Sequence, residues 1–107
     1  MSEWVDVIAL DEMSSDARAT VLVDGIPVVV FIVEGQAFAL EDECSHECYP
    51  LVNGSVEGDR VTCAQHGAQF SLRTGEVLAP PAYEPVATYP ARVRDGRVQV
   101  NRKRREA

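Results

Sequence analysis

Four side chains near the middle of this chain can hold a metal: Cys44 and His46, then Cys63 and His66. They read as Cys-x-His, sixteen intervening residues and Cys-x-x-His, and they use both histidines of the 107-residue sequence. Two thiolates and two imidazoles satisfy a tetrahedral zinc ion. They also satisfy a [2Fe–2S] cluster in which one iron takes both sulfurs and the other both nitrogens, with a reduction potential above that of an all-cysteine cluster. Zinc loops more often pair Cys with Cys and His with His. Here each loop offers one of each, which favours the cluster and leaves zinc open. A buried thiol pair with two satisfied core imidazoles is the weakest reading, because each histidine follows a cysteine by two or three residues.

The segments that must position these residues read almost entirely as β structure. Residues 19–23 and 26–33 flank Asp24-Gly25, a pair suited to a tight hairpin turn. Glu34-Gly35-Gln36 then turns the chain into Ala37-Phe38-Ala39-Leu40. Residues 91–94 and 97–100 flank Asp95-Gly96 and alternate apolar with charged side chains. Leu10 to Arg18 looks briefly helical, although Ser14-Ser15-Asp16 points to a turn instead. The fold class expected is all-β, an antiparallel sandwich or small barrel. A segment from about 42 to 82 is richer in Gly, Pro, Cys and His, with only short strand-like pieces such as 60–62 and 69–71. It reads as a loop-rich metal-binding subdomain inserted in one domain spanning 1–107.

The bulk numbers narrow the function. Hydrophobic residues at 46% and charged residues at 25% describe a globular chain. No apolar stretch is long enough to span a bilayer, and Met1 to Asp6 shows no secretory pattern, so a cytoplasmic location is expected. Three cysteines make a poor disulfide framework and agree with it. Residues 1–90 carry fifteen acids against Arg18, Arg60 and Arg73, a net of −12, whereas residues 91–107 carry a net of +5. An acidic body argues against nucleic acid and for a partner with a basic face. The basic end reads as a solvated terminus.

The run Cys44-Ser45-His46, Leu51, Gly54, Gly58, Cys63-Ala64-Gln65-His66-Gly67, Phe70, Gly75 and Ala79-Pro80-Pro81-Ala82 resembles the Rieske ferredoxins. Within that family it is most similar to the small electron-transfer proteins of bacterial aromatic-ring dioxygenases, such as those of biphenyl and carbazole dioxygenases. The resemblance implies one [2Fe–2S] cluster, with Cys44 and Cys63 on the inner iron and His46 and His66 on the outer iron near the surface. Gly67 would let backbone N–H groups approach the sulfides, though a plain turn explains it equally. Residues 79–82 would form the proline loop beside the cluster. Leu51 and Phe70 read as core residues beneath the loops, and Gly54, Gly58 and Gly75 as turn residues.

Two departures from the respiratory members of the family bear on the potential. Their two loops carry an additional disulfide; here Cys48 stands one residue early and Gln65 occupies the partner position, so Cys48 reads as a free thiol. They also aim a serine and a tyrosine hydroxyl at sulfur, where this chain has Ala68 and Phe70. Fewer hydrogen bonds to sulfur stabilise the reduced cluster less, which implies a potential near the bottom of the range, roughly −150 mV. Ferric iron would acidify the two imidazoles and couple their protonation to the redox state at high pH.

The function implied is a soluble, monomeric carrier of single electrons from a flavoprotein ferredoxin reductase to the terminal oxygenase of a multicomponent aromatic-ring dioxygenase. It would be no enzyme itself, and neither membrane nor nucleic acid would be a partner. Docking would use a tip formed by His46, Tyr49, Pro50, His66 and Pro81, ringed by Glu43 and Glu47. The alternative is the small Rieske-like subunit of an assimilatory nitrite reductase, some members of which lack the ligands that this chain keeps. A structural zinc module is the third reading.

Overall fold

Three two-residue turns set the frame. Asp24-Gly25, Glu34-Gly35 and Asp95-Gly96 have φ of 52° and 82°, 51° and 79°, and 52° and 75°. Positive φ at both central residues gives the twist that tight hairpins need. The computed structural model describes residues 3–13, 17–42, 51–64, 67–80 and 85–103. In it the first turn joins β2 (Arg18–Val23) to β3 (Ile26–Val33), and the second joins β3 to β4 (Gln36–Glu41). The third joins β10 (Ala91–Arg94) to β11 (Arg97–Asn101). The closing pairs are Val23 with Ile26, Val33 with Gln36 and Arg94 with Arg97.

Among the described residues the strands form three antiparallel sheets, and these hairpins lie in two of them. The central one has the order β2-β3-β4-β9, where β9 is Thr88–Tyr89. A second is β1-β11-β10, with β1 (Trp4–Ala9) added to the hairpin across a register shift between Asp6 and Ile8. The third is a meander of three-residue strands: β5 (Ser55–Glu57), β6 (Arg60–Thr62), β7 (Gln69–Ser71) and β8 (Val77–Ala79).

Strand β3 explains how the layers are held. Val28, Val29, Val30 and Phe31 are all buried, so this strand is covered on both faces and reads as a continuous apolar run rather than an alternation. Val28 and Val30 pack with Ala39, Tyr89, Val98 and Val100 between the central sheet and the β1-β11-β10 sheet. Val29 and Phe31 pack with Leu40, Leu51, Val61, Phe70 and Cys63 between the central sheet and the meander. Emptying the Phe31 position to alanine would cost about 3–5 kcal/mol.

The antiparallel all-β expectation holds. Strands β1, β5, β8 and β9 go beyond what the sequence pattern suggested, and a 3-10 turn at Leu10–Glu12 replaces the brief helix. Residues 14–16 lie outside the described set. No helix among the described residues is long and apolar enough to cross a membrane.

Candidate metal centre

Cys63 leaves the end of β6 and enters the core. It is 2% exposed and packs in one cluster with Leu51, Val61, Ala68 and Phe70. Its N–H donates to the Ala68 carbonyl at 2.7 Å, and its carbonyl accepts the Gly67 N–H at 3.1 Å. Those two bonds close a six-residue turn between β6 and β7 that has Cys63 at one foot and His66 within it. Gly67 lies at φ +77°, a backbone state that side chains strain, so the turn requires glycine there.

The first loop is held at its stem. Asp42 donates its N–H to the Pro27 carbonyl at 3.0 Å. One carboxylate oxygen of Asp42 accepts the Val52 N–H at 2.8 Å, and the other accepts the Thr20 hydroxyl at 2.7 Å. The segment Asp42 to Val52 is therefore tied end to end, with Cys44 and His46 inside it. At its end, a 3-10 turn at Leu51–Asn53 buries Leu51 beside Cys63. Arg18, at the start of β2, donates from one Nη to the Val52 carbonyl at 2.9 Å and to the Gly54 carbonyl, while its guanidinium lies over the Phe31 ring at 5.1 Å.

The two loops meet through Gly54. An added Cβ there would fall 2.4 Å from the carbonyl oxygen of Thr62, the residue before Cys63. Gly54 is thus required by close backbone approach, a role that its reading as a turn residue did not capture. A third segment is tied to the meander at Gly75, whose N–H donates to the Ser71 carbonyl at 2.9 Å and whose carbonyl accepts the Val86 N–H at 3.0 Å. The second bond holds Val86 in the core cluster that contains Cys63.

Of the four expected ligands, Cys63 is described and buried at the loop foot; Cys44, His46 and His66 lie outside the described residues. So do Cys48, Gln65, the rest of the proline loop and the tip residues Glu43, Glu47, Tyr49, Pro50 and Pro81. Among the described residues no three metal-binding side chains converge, as expected when three of four ligands fall outside that set. What the described residues bring together is the bases of both loops, on one apolar core. As a metal ligand, the Cys63 thiolate would need a cation beside it, because an unpaired charge in apolar surroundings is costly. Ferric iron would supply that charge; two cysteines and two histidines are the donor set of such a cluster. A groove of about 360 Å³, lined by Phe38, Leu72, Arg73 and Tyr89 among other described residues, contains no thiol, imidazole or carboxylate.

Comparison with known proteins agrees. The family model described as "Rieske [2Fe-2S] domain" matches residues 3–90. The anthranilate 1,2-dioxygenase ferredoxin subunit of Burkholderia cepacia is 38% identical over 101 residues, covering 94% of each chain. A chain from the complex of reduced oxygenase and oxidized ferredoxin in carbazole 1,9a-dioxygenase superposes with a TM-score of 0.85 at 29% identity, covering 100% of both chains. A structure assigned to the small subunit of an NADPH nitrite reductase superposes at 0.77, with 25% identity, 91% of this chain and 96% of that one.

Proposed function

This chain belongs to the Rieske [2Fe–2S] domain family and carries one cluster of that type, and from that premise we propose that it ferries single electrons to the terminal oxygenase of an aromatic-ring dioxygenase. The observation that carries the reading is the match along 94% of both chains to a protein named as a dioxygenase ferredoxin subunit. The structural match to a chain of an oxygenase–ferredoxin complex supports the same partner. On this reading the donor is a flavoprotein ferredoxin reductase, the chain is a cytoplasmic monomer, and residues 1–107 form one domain with a cluster subdomain at about 42–82. The nitrite reductase alternative has less support, resting on the lower structural likeness.

Cys44 and Cys63 would hold the inner iron and His46 and His66 the outer one. When bound, the cluster would supply one-electron transfer, its two imidazoles leaving it less negative than an all-cysteine site. Leu51, Val61 and Phe70 keep water from the inner thiolate foot. Ala68 and Phe70, both fully buried, carry no hydroxyl for sulfur, which supports a low potential.

The test is the purified protein's visible and EPR spectrum, oxidised and dithionite-reduced, followed by reduction of a dioxygenase terminal component in the presence of reductase. A red-brown protein with the low average g of Cys₂His₂ clusters that supports turnover is the expected result. A colourless zinc protein after anaerobic reconstitution with iron and sulfide would overturn it.

A further inference from the structure

We propose that Arg18 and Asp42 form a two-point clamp on the stem of the first cluster loop, and that this clamp positions the loop's ligands and sets how firmly the chain retains iron. The inference rests on the cluster reading above and adds positioning residues outside the ligand motif.

Asp42 closes the loop on itself. Its carboxylate spans from the Val52 N–H to the Thr20 hydroxyl, so the outgoing and returning backbones are joined to each other and to β2. Arg18 then fixes the returning side. One guanidinium nitrogen serves the Val52 and Gly54 carbonyls, and the same group is braced on Phe31 in the central sheet. The bond to Gly54 reaches the second loop too, because Gly54 packs directly on the Thr62 backbone. The two charged side chains therefore connect the rigid sheet to both feet of the site.

Bonds to charged groups are stronger than neutral ones. Partners of metal ligands, when removed, commonly weaken metal retention by 10–100-fold. A clamp of this kind acts on ligand orientation, so it should appear in the electronic structure of the cluster as well as in its lifetime.

The experiment compares as-isolated wild type with Arg18→Met, Asp42→Ala, Asp42→Asn and, as a control, Arg102→Gln. Iron release to an excess of a ferrous chelator is followed by visible bleaching, and g values are read from the reduced EPR spectrum. Arg18→Met and Asp42→Ala are expected to release iron about tenfold faster and to shift or broaden g. Asn keeps an oxygen for the Val52 N–H but loses the charge, so Asp42→Asn should fall between wild type and Asp42→Ala. Arg102→Gln breaks an exposed pair with Asp24 at the β2–β3 turn and should match wild type. If Arg18→Met does not fold, the Asp42 pair decides. Wild-type release and g values in Asp42→Ala overturn the clamp, as does an Asp42→Asn protein as labile as Asp42→Ala. A wild-type protein without the Rieske signal overturns the cluster reading itself, whereas a normal wild-type signal with unaltered variants overturns the clamp alone.

Discussion

Replacing Gly54 with alanine separates two opposite expectations. Gly54 is absent from the positive-φ glycines, so its backbone state admits any residue. On that ground alone alanine should stabilise the fold by about 0.4–1 kcal/mol, through reduced freedom of the unfolded chain. The packing argues the reverse. The new methyl would meet the Thr62 oxygen at 2.4 Å, the Val61 Cγ2 at 3.0 Å and the Leu51 oxygen at 3.1 Å. Two of those three atoms are backbone, so no rotamer change relieves the contact. Overpacking of this kind costs about 1–3 kcal/mol, which exceeds the entropic gain. The net is a loss of about 1–2 kcal/mol, or a fall of roughly 5–10 °C in the melting midpoint for a domain of this size. Anaerobic melts read by far-UV circular dichroism and by visible bleaching measure it. Because Thr62 precedes Cys63, Gly54→Ala should also accelerate iron release. Gly25→Ala, in open space at φ +82°, should strain the turn without touching the cluster. A Gly54→Ala protein that melts at or above wild type would refute the close-approach argument.

Three further outcomes are expected. Ala68→Ser places a hydroxyl in the fully buried cluster that contains Cys63, and protein-film voltammetry should show the potential rising, by about 60 mV for each 1.4 kcal/mol of preference for the reduced state; an unchanged or lower value would count against the account of the low potential. Glu34 sits exposed at φ 51° in the β3–β4 turn, so Glu34→Asn, which tolerates that conformation, should stabilise by about 0.4–1 kcal/mol in thermal melts. The Asp24 hydrogen bond raises the pKa of exposed Arg102; stability from a raised group persists below its unfolded pKa and is lost only as pH climbs through its folded one, far above neutrality. Arg102→Gln should therefore melt near wild type at both about pH 5 and about pH 9, and a slope between them that wild type lacks would contradict this.

What was legible in the sequence follows from how local the physics is. Asp24-Gly25 and Asp95-Gly96 announce their turns because few other dipeptides accept two positive φ values, and strand register follows from the turn. Strand β1 was silent: Trp4-Val5-Asp6-Val7-Ile8-Ala9 has one polar residue, a register shift within it and a partner at the far end of the chain. The three-residue strands of the meander are too short to show an alternation, so β6 and β7 read as strand-like pieces while β5 and β8 read as loop. At the site, the ligand pattern was legible because thiol and imidazole are rare and chemically specific. Arg18 and Asp42 were not, since each reaches across the fold to a backbone group, and backbone groups leave no trace in sequence. A charged residue opening a strand within a strongly acidic chain was the sole available signal.

The seam between β1 and β11 bears on the order of assembly. Each tight hairpin closes over two residues and forms quickly. Pairing Trp4 with Asn101 instead closes a loop of nearly the whole chain, and that entropy is lost before any contact rewards it. This ladder is expected to form last, and pulse-labelled hydrogen exchange during refolding should find the Val5 and Val100 amides protected later than those of β2–β4. The cluster-binding segment can then organise while the two strands of that seam are still apart.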